Sequence, residues 1–326
     1  MRVLSGIQSS GMVHLGNYFG ALMNWVKLQN EGHDCFYFIA NLHSMTQSYD
    51  PALLKKRTLE LTATLIAIGI DPEKSTLFIQ SDVSEHSELA WILSCLAPLG
   101  EMERMIQFKE KSAQSPESVN AALLLYPVLQ SADILLYRPD LVPVGIDQAQ
   151  HLELTRNLVR KFNKRFNTEY FKEPQTFHTE TVKVVGLDGT AKMSKSRDNF
   201  IGLVEEPEII KKKLRTAATD PARVRRDDPG NPDICNVFSL HKLISSAKDQ
   251  AWSEKGCRTA EIGCLDCKGR LFENLMQLLD PIRERYKELM EKPGLLHEYL
   301  DLGAQKAKKE AQKTLEKVHE LIGISR

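Results

Sequence analysis

Val3-Leu4-Ser5-Gly6-Ile7-Gln8-Ser9-Ser10-Gly11-Met12-Val13-His14-Leu15-Gly16-Asn17 opens the chain and decides its fold. Val3-Leu4 reads as a short strand that runs into a loop punctuated by Gly6, Gly11 and Gly16, and a helix is expected from about Asn17 to Gln29. Downstream the alternation repeats. Cys35-Phe36-Tyr37-Phe38-Ile39-Ala40 is a continuous apolar run of the kind found in a strand buried on both faces. Asp50-Pro51 is a helix start, with the acid as cap and proline at the first helical position, and that helix should run to about Ile68 and stop at Gly69. Thr76-Leu77-Phe78-Ile79-Gln80 reads as a further strand, followed by a helix through Trp91 and Leu93. Strand and helix in strict alternation predict an α/β fold, a Rossmann-like parallel sheet with helices on both faces. Such sheets bind ligands at the carboxyl ends of their strands. The Gly6–Gly16 loop, Asn41-Leu42-His43 and the turn Gly145-Ile146-Asp147-Gln148 all follow strand candidates and should meet there.

The chain has 326 residues, enough for one large domain or, more naturally, two with separate cores. The sheet domain is expected over 1–200, with a helical insertion at about 98–137. After Phe200 the strand signal fades, and 201–326 reads as a smaller helical C-terminal domain, notably at about Leu271–Lys287 and Leu302–Ile322. Hydrophobic residues make up 42% and charged residues 26%, an ordinary globular balance. No apolar run reaches the length of a membrane span, and the N-terminus lacks a signal-like apolar region, so no membrane association and a cytoplasmic location are expected. Net charge is zero, but Lys211–Arg226 carries seven Lys/Arg against one Asp, and Lys306–Lys317 is Lys-rich. Each could be a solvated helix face or a phosphate-backbone contact.

Ala191-Lys192-Met193-Ser194-Lys195-Ser196 carries the chemistry. Its KMSKS core would arise by chance on the order of once in ten thousand chains of this length. Two lysines three apart on a loop can reach a nucleotide triphosphate from one side. His14-Leu15-Gly16-Asn17, between a strand and a helix, can reach it from the other.

Taken together, these residues resemble a class I aminoacyl-tRNA synthetase of the bacterial tryptophanyl type. The resemblance extends over nearly the whole length. It rests on Leu4–Gly11 with HLGN, Gln107-Phe108-Lys109-Glu110-Lys111-Ser112, the segment YPVLQSADILLY at 126–137, VPVGIDQ at 142–148, HLELTR at 151–156, and KMSKS. It implies activation of L-tryptophan by ATP to tryptophanyl-adenylate and pyrophosphate, then transfer to the 3′ end of tRNA(Trp). Nucleophile and electrophile in the first step are both anionic, so catalysis must come from positioning and charge stabilisation. The implied catalytic residues are His14, Lys111, Lys192 and Lys195. The implied ATP contacts are Gln8, Ser9, Ser10, Gly16, Asn17, Gly145, Ile146, Asp147, Val184, Met193, Ser194 and Ser196, with Mg2+ carried by the phosphates. Asp133, a carboxylate among apolar helix formers, is the candidate acceptor for the indole N–H. A helix cap or an ion pair with Arg104 or Arg138 is its structural alternative. Tyr126, Gln148, His43, Val142, Val144 and Gly6 are expected to complete the tryptophan pocket. Leu4 and Gln130 depart from the residues common at their positions. A homodimer is implied by the family.

Cys35 and Cys95 sit in apolar sequence and read as core residues. The other four cysteines follow the spacing Cys235-x21-Cys257-x6-Cys264-x2-Cys267. In a reducing compartment this density suggests a metal site rather than disulfides. The pattern is similar to that of tryptophanyl-tRNA synthetases holding a [4Fe–4S] cluster in an anticodon-binding domain. A slightly shorter first gap keeps Zn2+ open as the alternative. Two other readings share parts of this pattern: a non-catalytic RNA-binding relative, and a nucleotidyltransferase acting on small molecules.

Overall fold

The computed structural model describes residues 1–114, 117, 119–143, 145, 148–177 and 182–325. Val144, Ile146 and Asp147 lie outside the described residues. Five strands, β1 (Arg2–Ile7), β2 (Asp34–Ile39), β3 (Thr76–Ile79), β4 (Leu141–Pro143) and β5 (Gln175–Phe177), form one parallel sheet in the order β3-β2-β1-β4-β5. The strand order reverses between β1 and β4, so a crevice opens there at the strands' carboxyl ends. Ser5 Oγ spans it, donating to Pro143 O at 3.0 Å.

The first helical segment begins earlier than its sequence suggests. His14 caps α1 (Leu15–Asn17), which continues through a π-helical turn, Tyr18–Leu22, into α2 (Met23–Asn30). Such turns insert an extra residue per turn and cluster at functional sites. After α3 (Asn41–Ser44) comes α4 (Pro51–Ala67), capped by Asp50, whose Oδ1 accepts from Leu53 N at 2.7 Å. Gly69, at φ +111°, ends it in a conformation that favours glycine.

Four helices follow β3: α5 (Glu85–Ser94), α6 (Leu99–Glu103), α7 (Ile106–Gln114) and α8 (Ala121–Tyr137). Cys35 is buried as expected, whereas Cys95, at the end of α5, is exposed to solvent. Beyond α9 (Ala149–Arg165) the chain is helical: α10 (Pro207–Thr216), α11 (Asn236–Ile244), α12 (Ala247–Arg258), α13 (Cys264–Met290) and α14 (Pro293–Ile322).

Apolar packing runs across residue 200 rather than stopping there. Leu203, Ile210 and Leu214 share a core with Leu15 and Met193, and α13 packs on α4. The terminal helix α14 returns to the sheet, where Ala307, Ala311, Leu315 and Val318 join Phe78, Leu89 and Leu136. Residues on both sides of 200 thus share apolar cores, and the small residues of α14 let it fit against β3.

Candidate active site

The crevice between β1 and β4 is a cavity of about 480 Å3. Gly6, His43, Tyr126, Asp133, Val142 and Gln148, expected from the sequence to hold the amino acid, all line it. So do Leu4 and Gln130. Gly6 is required by its neighbour, because a Cβ there would sit 2.5 Å from the Phe38 ring.

Asp133 is 1% exposed, and neither Arg104 nor Arg138 holds it. Its Oδ1 accepts from Gln80 Nε2 at 2.8 Å and from His86 Nδ1 at 2.6 Å, and its Oδ2 accepts from His43 Nε2 at 2.7 Å. Burial alone would push the carboxyl up, but the contacts with His43 and His86 outweigh it and hold the group down at about 2. The carboxylate is therefore ionised and a pure acceptor. Two turns earlier on α8, Tyr126 packs edge-on against His43, donates to Gln107 Oε1 at 2.9 Å and lies 3.1 Å from His151 Nε2. His151 Nδ1 in turn is 2.9 Å from Gln148 Oε1.

Gln8, Ser10, Asn17, Lys111, Gly145 and Lys195 line the same cavity. Lys195 Nζ donates to Gly11 O at 2.9 Å and to Ser10 Oγ at 3.3 Å, so the KMSKS loop closes onto the N-terminal glycine loop. Burial and the nearby Arg57 lower Lys195 to about 8. Lys111 is lowered by burial and lies over the Tyr126 ring. Lys192 is exposed and does not line the cavity.

His14 is 5% exposed. Burial, with Lys195 and Lys192 close by, holds it down to about 4, so it is a neutral imidazole at pH 7. Its Nδ1 accepts from Asn17 N at 3.3 Å, which places the ring proton on Nε2. Gly16 leaves room for that ring: an added Cβ would meet it at 3.0 Å.

Val184 and Met193 are core residues and do not line the cavity. They hold the loop instead, Met193 N donating to Val184 O at 3.0 Å. Asn199 pins it further. Its Oδ1 accepts from Ser194 N at 2.8 Å and its Nδ2 donates to Asp188 Oδ2 at 3.0 Å. Ser194 Oγ lies 3.4 Å from Ser196 Oγ. Ser9 is buried and lines a polar pocket beside the cavity with Gln8, Arg57 and Lys111.

Cys235, Cys257, Cys264 and Cys267 line one pocket between α11, α12 and α13. Among the described residues, no three His, Cys, Asp or Glu side chains are arranged to hold a metal ion directly. The donor set nevertheless fits a thiolate-held anionic group. The buried guanidinium of Arg223 points Nη1 at Cys257 Sγ, 3.6 Å away, and Ser253 Oγ is 3.1 Å from Cys267 Sγ. Lys268 is buried beside them. Burial, reinforced by the other three cysteines, pushes the Cys267 thiol up to about 11. Arg223 turns inward to the cysteines and Lys213 to Glu205, leaving Lys211, Lys212, Arg215, Arg225 and Arg226 as the exposed cations of the basic segment.

Residues 1–280 match the family model described as tRNA synthetases class I (W and Y). A tryptophan–tRNA ligase of Deinococcus radiodurans is 47% identical, over 99% of this chain and 98% of that relative. The corresponding ligase of Thermotoga maritima is 43% identical, over 99% of each. The tryptophanyl-tRNA synthetase of Campylobacter jejuni, solved with ADP and tryptophan, superposes with a TM-score of 0.91 at 41% identity, covering 99% of this chain and 100% of that one. A tyrosyl-tRNA synthetase of Aeropyrum pernix, at 21% identity and a TM-score of 0.67 over 93% of this chain and 89% of that one, shares the fold. With a cavity lined by both a buried acceptor and cations, and with full-length relatives of one kind, the chain belongs to the bacterial class I tryptophanyl-tRNA synthetases.

Proposed function

We propose that the chain is a tryptophan–tRNA ligase working in two steps. Tryptophan's carboxylate attacks the α-phosphate of ATP, pyrophosphate leaves, and the resulting adenylate acylates the 3′ end of tRNA(Trp). The observation that carries this reading is the single cavity lined by ionised Asp133 together with Lys195 and Lys111. An acceptor-only carboxylate suits the indole N–H, a donor with no acceptor lone pair. Gln148 and Tyr126 suit the α-ammonium. Lys195 and Lys111 offset charge on the phosphates as pyrophosphate departs, and neutral His14 donates from Nε2 without repelling the lysines. Lys192 joins them when the loop closes on nucleotide, and Mg2+ arrives with the triphosphate. Asp147 is assigned to the ribose hydroxyls on the motif alone.

Tryptophan-dependent exchange of pyrophosphate into ATP tests the first step, with tyrosine run in parallel. Exchange with tryptophan only, followed by charging of tRNA(Trp), is expected. Equal exchange with tyrosine would overturn the assignment.

Residues 201–326 are assigned to anticodon binding, with the five exposed cations of Lys211–Arg226 meeting tRNA phosphates, in a cytoplasmic homodimer. No helix among the described residues is long and apolar enough to cross a membrane. Cys235, Cys257, Cys264 and Cys267 would hold a [4Fe–4S] cluster, which would cross-link α11, α12 and α13 through thiolate bonds. Arg223 and Lys268 support this by supplying two buried positive charges beside four thiolates. Protein purified without oxygen should be brown and contain four irons per chain. A colourless protein with one zinc would replace the cluster by the simpler ion.

A further inference from the structure

Asp133 is held more completely than an acceptor of one hydrogen bond requires. A carboxylate has about four acceptor positions, and three are taken, by Gln80, His86 and His43. The fourth belongs to Oδ2, and Asp133 lines the cavity. His86 is fully buried among the rings of Phe38, Phe78 and Tyr137, outside the cavity. Its Nδ1 gives its proton to Oδ1, so in the neutral ring Nε2 can only accept. The Tyr137 hydroxyl lies 2.9 Å from that nitrogen. Tyr137 stays protonated, because burial, Asp133 and Glu85 all raise it. The protons thus run one way, from Tyr137 O–H to His86 and from His86 N–H to Asp133.

We infer that His86 and Tyr137 are positioning residues for side-chain specificity: together they lock Asp133 in one orientation as an acceptor, so that the site selects a side chain that donates an N–H. The physical need is clear. The carboxylate torsion is broad and roughly two-fold, so an unrestrained aspartate would swing its oxygens away from a single donor. Two donors on Oδ1 fix the carboxylate plane from behind, and His43 fixes it from the side. Tyr137 matters because its hydroxyl satisfies Nε2 in the tautomer that Asp133 imposes and so holds the His86 ring in that orientation. The inference rests on Asp133 being the indole acceptor, and its test separates the two claims.

The probe is the benzothiophene analogue of tryptophan, which keeps the ring shape and replaces N–H by sulfur. The readout is the ratio of kcat/KM for tryptophan over the analogue in ATP–pyrophosphate exchange. His86→Phe keeps a ring and removes the donor, and it should lower the ratio by about 10- to 100-fold, the range for a hydrogen bond to a charged group, chiefly through KM for tryptophan. His86→Asn places an amide N–H near the position of Nδ1 and should restore most of the ratio. Tyr137→Phe, which removes one hydroxyl and no ring, should lower it by about 3- to 10-fold. A ratio unchanged in His86→Phe but collapsed in Asp133→Asn would leave the acceptor in place and overturn the positioning role. A ratio unchanged in Asp133→Asn would overturn both. Should His86→Phe fail to fold, Tyr137→Phe decides, since an unaltered ratio there removes the relay.

Discussion

Lys195 gives up most of its water to reach the carbonyl of Gly11, and that burial, with Arg57 nearby, lowers it to about 8. The cationic form is the one that binds phosphate. It is therefore nearly fully present at pH 7 and is lost as pH rises through about 8. kcat/KM for ATP reports the free enzyme, so it should be level from about pH 6 to 7 and fall about tenfold per pH unit well above 8. Lys195→Arg keeps its charge throughout this range. Its absolute rate should drop, because a planar fork does not fit a site shaped for an ammonium, but its alkaline limb should move to higher pH. A limb left in place would assign it to another group. His14, held down to about 4, is neutral across the whole range and should contribute no acid limb above pH 5.

At the scale of the element, the KMSKS loop is shaped by Asn199, which lies outside the motif. Its amide serves Ser194 N and Asp188, and a Cβ on Gly186 would run into it at 2.0 Å. Asn199→Ala should cost about 1–3 kcal/mol from those lost bonds. It should also speed tryptic cleavage after Lys192, Lys195 and Arg197 and lower kcat for exchange. Unchanged proteolysis would mean that the loop holds its own shape. This element also marks what the sequence discloses. KMSKS and HLGN are legible because their chemistry is local, and Asp133 is legible because a carboxylate inside an apolar helix demands a reason. Gln80 and His86 were legible in principle. They follow β3, at whose carboxyl end ligand-facing residues gather as they do after β1, β2 and β4. Gln107 and His151 carry no such signal, because each depends on how α7 and α9 pack around Tyr126. Asn199 was hidden for the same reason: an asparagine beyond a motif reads as a turn former until its partners are placed.

Across the whole molecule, the alternating strands and helices announced the sheet, and the helical tail was evident from its periodicity. The return of that tail to the sheet was not, because Ala307 and Ala311 read as helix propensity and a single Gly303 as a tolerated break rather than as an interface. The packing makes it one. Thr314 Oγ1 donates to Leu136 O at 2.7 Å, Arg2 pairs with Glu310 at 3.1 Å, and α14 lies so close to β3 that a Cβ at Gly303 would sit 1.8 Å from Leu77 O. That oxygen belongs to a strand of the central sheet and cannot move alone. Gly303→Ala should therefore push α14 off the sheet and destabilise the protein by about 1–3 kcal/mol or more, despite alanine's better helix propensity. Gly269, exposed within α13, has no neighbour that a Cβ would meet within 4 Å. There the same substitution should stabilise by about 0.5–1 kcal/mol, since only backbone entropy and propensity act. Thermal melts of the two variants should thus move in opposite directions. Because α14 also covers α8, which carries Asp133, Gly303→Ala should weaken tryptophan binding as well, while Gly269→Ala leaves it alone. A Gly303→Ala protein that melts like the parent would show that the terminal helix rests on the sheet more loosely than this contact requires.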